Sequence, residues 1–290
     1  MDIAALTAFA EIVDTGSFSQ AAQNLHLTQP AISKRIAKLE QALGTPLLDR
    51  IGRHIKPTEA GTELLGHSKK IFADISQAER AIREMSSEVS GNLHIATSHH
   101  IGLHRLPPIL KTFSDRYPSV KMQIEFTDSE KAHTLVSDGD VELAIITLAL
   151  EENNQLKSTE LWPDPLIVMA ATTHPLATVK NLSLVELAKY PCVLPGLDTY
   201  TGQIVKNLFD KESLVLDASM ATNYLETIKM LVSVGMGWTV LPKSMFDDSL
   251  IELKISKLAL SRQLGYITHK QHNLSTAATA FINLLTKVKN

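Results

Sequence analysis

Apolar positions in the first sixty residues recur at helical spacing. Ile3, Leu6, Phe9, Ala10 and Val13 make one stripe that stops at Gly16, predicting an amphipathic first helix. Ser17-Phe18-Ser19-Gln20 reads as a capping box opening a short second helix, where small Ala21 and Ala22 let a neighbour approach closely. Thr28 is the expected N-cap of a third helix, with Pro30 in its first turn. That helix sets Ile32, Ile36, Leu39 and Leu43 on one face and Pro30, Ser33, Lys34, Ala37, Lys38 and Gln41 on the other. Gly44 and Pro46 end it. Residues 47–51 and 54–56 then predict a small β-hairpin around Gly52-Arg53.

A different period follows. Leu64, Ser68, Ile71, Ile75, Ala78, Ile82, Met85 and Val89 alternate in steps of four and three, an a/d seam over more than three heptads. Lys69, Lys70, Asp74, Glu79, Arg80 and Glu84 keep the remaining surface polar, so the seam favours a partner helix over packing on its own domain. Ser90-Gly91-Asn92 breaks it. Beyond lie short apolar runs at 93–97, 121–126, 142–147, 166–171, 192–194, 214–218, 238–241 and 264–268, the strand candidates. Helix signals fall between them at Pro107-Pro108, at the capping boxes 183–186 and 223–226, and over 275–288. Such alternation predicts α/β architecture with mainly parallel sheets. Two hundred residues of it imply two lobes, with the chain crossing between them near Trp162-Pro163-Asp164-Pro165 and again near 264–268.

Charge sharpens the picture. The 290-residue chain carries a net −3, which excludes a surface uniformly coated in positive charge. Yet Lys34, Arg35, Lys38, Arg50, Arg53 and Lys56 face only Glu40 and Asp49 between residues 34 and 56, a local +4. Two helices joined by a tight turn, the second exposing amide, hydroxyl and cationic side chains, have helix-turn-helix geometry. An arginine-tipped hairpin beside them suits a narrow minor groove. A single cysteine, Cys192, excludes an intramolecular disulfide, a CxxC redox pair and a Cys-rich zinc site; in a buried strand it is an inert thiol. No apolar run reaches the ~18–20 residues of a membrane span, and Asp2 stands where a signal peptide carries positive charge, so a cytoplasmic protein is expected. No catalytic motif is present, and no enzyme is expected.

Gly16-Ser17-Phe18, Ala21-Ala22, Leu25, Thr28-Gln29-Pro30-Ala31, Ser33, Leu39-Glu40, Leu43-Gly44, Arg50 and Thr58-Glu59-Ala60-Gly61 resemble the winged helix-turn-helix signature of LysR-type transcriptional regulators. The departures are Leu48 where Phe is usual and Pro57 where Leu is common. The resemblance implies a winged helix-turn-helix over 1–58, a dimerising linker helix over 59–90, and an effector domain over 91–290 similar to type-2 periplasmic binding proteins. In that domain lobe I would hold 91–163 and 268–290, and lobe II 164–267. It further implies a homodimer or homotetramer on double-stranded promoter DNA, contact with RNA polymerase, and a small-molecule inducer with no fixed cofactor. The stretch 99–108 resembles a subgroup linked to sulfur and redox metabolism. Ligand-driven closure of the lobes would then alter DNA bending.

The candidate DNA surface comprises Ser17, Thr28, Gln29, Pro30, Ser33, Lys34, Lys38, Arg50 and Arg53, with Gln29 and Ser33 on base edges and the lysines on phosphates. The dimerisation candidates are Leu64, Ile71, Ile75 and Ile82. Ligands of open α/β sheets sit beyond strand C-termini, which selects Ser98, His99, His100, Thr127, Thr147, Thr199, Thr201 and Asn223. This set is rich in hydroxyls and poor in fixed carboxylates, and an anionic metabolite is the expected effector, with His100 adding pH dependence. The resemblance places Ser98, His100, Thr147 and Thr201 in the inducer cleft. His99, His100 and His104 include an i, i+4 pair of metal-binding type, but the sequence shows no third ligand and no metal is expected.

Overall fold

The computed structural model describes the chain except residues 52–53, 84–88, 152, 219 and 288–290, and except the side chains of 50, 51, 54, 76, 77 and 79–83. The expected positions Arg53, Arg50 and Ile82 therefore fall outside the described side chains. Two compact units emerge, Met1–Arg80 and Ala81–Asn290.

In the first unit α1 (Ile3–Thr15), α2 (Phe18–Asn24) and α3 (Gln29–Leu43) pack around Leu6, Phe9, Ile12, Ala21, Ile32, Ile36 and Leu39. Asp2 caps α1 by accepting from the Ala5 N–H, and Gly16 and Gly44 close α1 and α3 in the left-handed conformation. Ser17 accepts from the Gln20 N–H, but the Gln20 side chain donates to Asn24 rather than back toward the cap, so only half of the expected capping box forms. Leu43, expected on the inward stripe, is 42% exposed because the last turn of α3 runs past the core. Strands β1 (Leu48–Ile51) and β2 (His54–Pro57) pair antiparallel as the wing. The Glu40 carboxylate accepts from the Leu47 N–H at 2.8 Å and ties the wing to α3. Gly61 sits in the first turn of α4 (Glu59–Arg83), where any Cβ would strike the Leu47 carbonyl.

The second unit continues with β3 (Gly91–Thr97), α5 (His99–His104), α6 (Pro107–Arg116), β4 (Val120–Phe126), α7 (Ser129–Asp138), β5 (Leu143–Thr147) and β6 (Leu156–Ala171). After β6 come α8 (Leu184–Leu187), β7 (Val193–Leu194), α9 (Tyr200–Lys211), β8 (Met220–Ala221), α10 (Leu225–Ser233), β9 (Trp238–Pro242), β10 (Leu250–Glu252), β11 (Leu260–His269) and α11 (Thr276–Lys287). Lobe I buries Leu93, Ile95, Phe113, Ile145 and Phe281 in one cluster and Ala132, Val136 and Ile146 in another. Lobe II buries Leu194, Phe209, Trp238 and Val240, with Met169, Ile228 and Leu241 on its other side.

The sheets depart from the mainly parallel expectation. Among the described residues β3–β4, β3–β5 and the short β7–β8 pair are parallel, with an isolated parallel bridge from Cys192 to Trp238, whereas β6 and β11 run antiparallel to each other and to their neighbours. Those two long strands cross between the lobes, so a single seven-stranded sheet threads both. The first crossing falls at Trp162-Pro163-Asp164-Pro165 as expected, Leu161 and Trp162 packing in lobe I and Leu166 in lobe II, but the segment lies inside the 16-residue β6, whose pairing with β11 has a register shift at Leu264/Gly265. Leu264 packs in lobe I and Leu260 against lobe II, so the return crossing lies a few residues before 264–268. Residues 214–218 form no strand; the Cys192 N–H donates to the Asp217 carbonyl at 2.9 Å, but the ladder forms only between Met220–Ala221 and Val193–Leu194. Cys192 is buried, and burial pushes its thiol up to about 12.

Candidate functional site

In the first unit α3 offers a helix face ready for a groove. Thr28 caps it, accepting from the Ala31 N–H, and Thr28, Gln29, Pro30, Lys34 and Lys38 are exposed while Ser33 is half-buried. The exposed row follows from the buried one, since Ile32, Ile36 and Leu39 fix the helix's rotation. Gln29 accepts from the Ser19 hydroxyl at 3.2 Å, which orients its amide, while Ser17 is spent as the α2 cap.

On α4, Leu64 and Ile71 pack partly buried against this unit's own core, joined by Leu65 and Phe72. Ser68 is fully buried and returns its hydroxyl to the Leu64 carbonyl. The early heptads therefore serve internal packing, contrary to the expectation that the whole seam faces a partner. Ile75 is half-buried outside that cluster and Ala78 is exposed.

In the second unit a cleft of about 440 Å³, its open mouth included, lies between the lobes. Seven of the eight expected effector residues line it: Ser98, His99, His100 and Thr147 from lobe I, and Thr199, Thr201 and Asn223 from lobe II. Thr127 does not; its backbone extends the β3–β4 pairing by bonding to the Thr97 carbonyl. The lobe II wall is set by α9, where the Thr199 hydroxyl accepts from the Gly202 N–H and any side chain at 202 would strike the Gly196 carbonyl.

The sequence reading missed the cleft's floor. Arg262 on β11, 7% exposed, meets Asp164 on β6 with Nε to Oδ2 at 2.8 Å, and its Nη1 donates to the Thr201 hydroxyl at 2.8 Å. Burial lowers the guanidinium's pKa and the facing carboxylate opposes that loss. Neither residue carried a local signal: Asp164 sits between two prolines and Arg262 ahead of the apolar run 264–268.

Carboxylates are not scarce here, contrary to expectation. Glu130 of lobe I accepts from the Tyr200 N–H at the start of α9 at 2.6 Å, and burial raises its pKa. Asp128 accepts from Asn223 Nδ2 at 2.9 Å, while Asn223 Oδ1 accepts from the Gly196 N–H. A third contact joins His104 Nε2 to Glu226 at 2.9 Å. All three run from lobe to lobe and hold the cleft shut. The expected pH dependence of His100 is also corrected: burial, then the Arg262 charge, lowers it to about 4, so it stays neutral at physiological pH. His99 packs its ring against Tyr224 at 4.6 Å and Phe126 at 5.6 Å.

A wing-bearing helix-turn-helix and a two-lobed ligand-binding fold together define a one-component DNA-binding regulator. The comparisons agree. The bacterial regulatory helix-turn-helix model of the lysR family matches residues 3–62, and the LysR substrate binding domain model matches residues 86–289. The chain belongs to the LysR family of transcriptional regulators, which are not enzymes. It is 29% identical to the HTH-type transcriptional activator CmpR of Synechocystis sp., over 96% of this chain and 92% of CmpR. It is 25% identical to the RuBisCO operon transcriptional regulator of Allochromatium vinosum, over 95% and 92%. Among solved structures, CbnR in complex with its target DNA shares the fold over the full length of both chains, with TM-score 0.67 at 17% identity. A full-length OxyR variant from Pseudomonas aeruginosa matches with TM-score 0.69 at 19% identity, covering 99% and 97%. Among the described residues no helix is long and apolar enough to cross a membrane.

Proposed function

We propose that this regulator controls its promoters in response to a small anionic metabolite held between the two lobes. The observation that carries the reading is Glu130, a carboxylate of lobe I seated on the Tyr200 N–H of lobe II. The chain thus carries its own carboxylate where the N-terminus of α9 favours negative charge. The acid group of an effector takes that place, using the α9 N–H groups, the hydroxyls of Ser98, Thr147 and Thr201, and the Arg262 guanidinium. Glu130 is then the competitor it displaces, and Asp164 keeps Arg262 in position.

The regulator acts as a homodimer or homotetramer on promoter DNA in the cytoplasm and reaches RNA polymerase from there. For the target genes, the stretch 99–108 supports a sulfur or redox set. The names of relatives such as the RuBisCO operon regulator favour a second reading, genes of the RuBisCO kind.

The test is a calorimetric screen of sulfate, phosphate esters and small carboxylates against the full-length protein. A hydrogen bond to a charged group contributes about 1.5–3 kcal/mol, so Thr201→Val is expected to bind the best anion at least tenfold more weakly. Glu130→Gln, which keeps an acceptor but no charge, is expected to bind it several-fold more tightly. Equal affinity in the wild type, Thr201→Val and Ser98→Ala would place the sensing site elsewhere.

A further inference from the structure

We propose that His100, His104 and Glu226 form a divalent transition-metal site that clamps the two lobes together beside the effector cleft. His100 and His104 lie one turn apart on α5, with ring centroids 4.8 Å apart. Glu226 reaches them from the first turn of α10 in the other lobe. Its Oε1 is 2.9 Å from His104 Nε2 and 3.6 Å from His100 Nδ1, and one ligand atom from each residue falls within 4.8 Å of the others.

A zinc ion bound at ~2.0–2.1 Å to imidazole nitrogen and ~2.0–2.2 Å to carboxylate oxygen needs ligand atoms roughly 3.4 Å apart. The trio already brackets that spacing, and rotamer adjustments of about an ångström complete it.

A second observation is independent of the clustering. His100 is 5% exposed, and its Nδ1 is buried without a hydrogen-bond partner. A buried polar atom left unpaired is costly unless something occupies it. A metal ion would use its lone pair.

Two imidazoles and one carboxylate suit zinc and its neighbours rather than magnesium or calcium. Three protein ligands leave a fourth position open to water or to a ligand in the cleft. Because the histidines and the glutamate belong to different lobes, the ion binds the closed arrangement and shifts the population toward it.

The proposal does not depend on the effector's identity. The experiment is calorimetric titration of zinc chloride into chelator-stripped full-length protein, with cobalt(II) absorption as a second readout. His104→Gln and Glu226→Gln are the variants, both at partly exposed side chains. His67→Gln is the control, since His67 and Glu63 make an exposed i, i+4 pair on α4. Wild type and His67→Gln are expected to bind one tight equivalent and to show tetrahedral cobalt bands. Either cleft variant is expected to lose those bands and bind at least about tenfold more weakly. Unchanged stoichiometry, affinity and cobalt spectrum in both cleft variants would overturn the site. So would loss in His67→Gln alone.

Discussion

At the residue scale the second unit turns on one buried ion pair. Arg262 and Asp164 are 7% and 1% exposed and sit on the two strands that pass between the lobes. Removing one partner leaves a buried charge without compensation, which costs about 3–5 kcal/mol, while removing both is often close to neutral. Arg262→Leu is therefore expected to destabilise the protein by about 3–5 kcal/mol in urea denaturation. The double variant Arg262→Leu with Asp164→Leu should recover most of that loss. If the double variant is as unstable as the single one, the pair is not what holds the crossing strands.

At the element scale α3 owes its exposed row to the positions on its opposite side. Ile32, Ile36 and Leu39 anchor the helix to α1 and α2, and Glu40 fastens the wing to it. Lys38 stands exposed on the free face. Each phosphate contact releases counterions, so Lys38→Ala is expected to weaken binding to all sequences and to shallow the log K against log salt slope by about one. An unchanged slope in mobility-shift titrations would remove Lys38 from the interface.

At the scale of the whole molecule, α4 divides its apolar positions between two tasks. Leu64 and Ile71 are engaged by their own unit. Ile75 is half-buried outside that cluster and is the described position best placed for a partner helix. Ile75→Asp would bury an unpaired charge there, at a cost of several kcal/mol. On the proposed homodimer or homotetramer, sedimentation should show the wild type associated and the variant dissociated at the same concentration. A folded variant of unchanged mass would mean that the entire stripe packs internally. In the second unit, the pairs Glu130–Tyr200, Asp128–Asn223 and His104–Glu226 each join one lobe to the other, so closure rests on groups that a ligand or an ion can take over.

Local chemistry made the first unit legible in the sequence. Caps at Ser17 and Thr28, the stops at Gly16 and Gly44, and the stripe Ile32-Ile36-Leu39 act within a few residues of themselves, where a one-dimensional pattern carries the whole cause. Most strands of the second unit were readable from their apolar runs, but 214–218 forms none, Leu250–Glu252 gave no signal, and β6 begins ten residues before its apolar run. Sheet direction was not, because pairing partners such as Leu264 and Trp162 are about a hundred residues apart and nothing in either strand names the other. The hydroxyls after strand ends could be found because ligand sites gather there whatever the pairing. Arg262, Asp164, Glu130 and Glu226 could not, since each is an ordinary charged residue until the crossing strands and the facing lobe bring its partner within 4 Å. Periodicity and capping settled the three helices of the first unit and most elements of the second. Only the long-range pairing decided which charges are buried, which carboxylates enter the cleft, and where His100 and His104 meet Glu226.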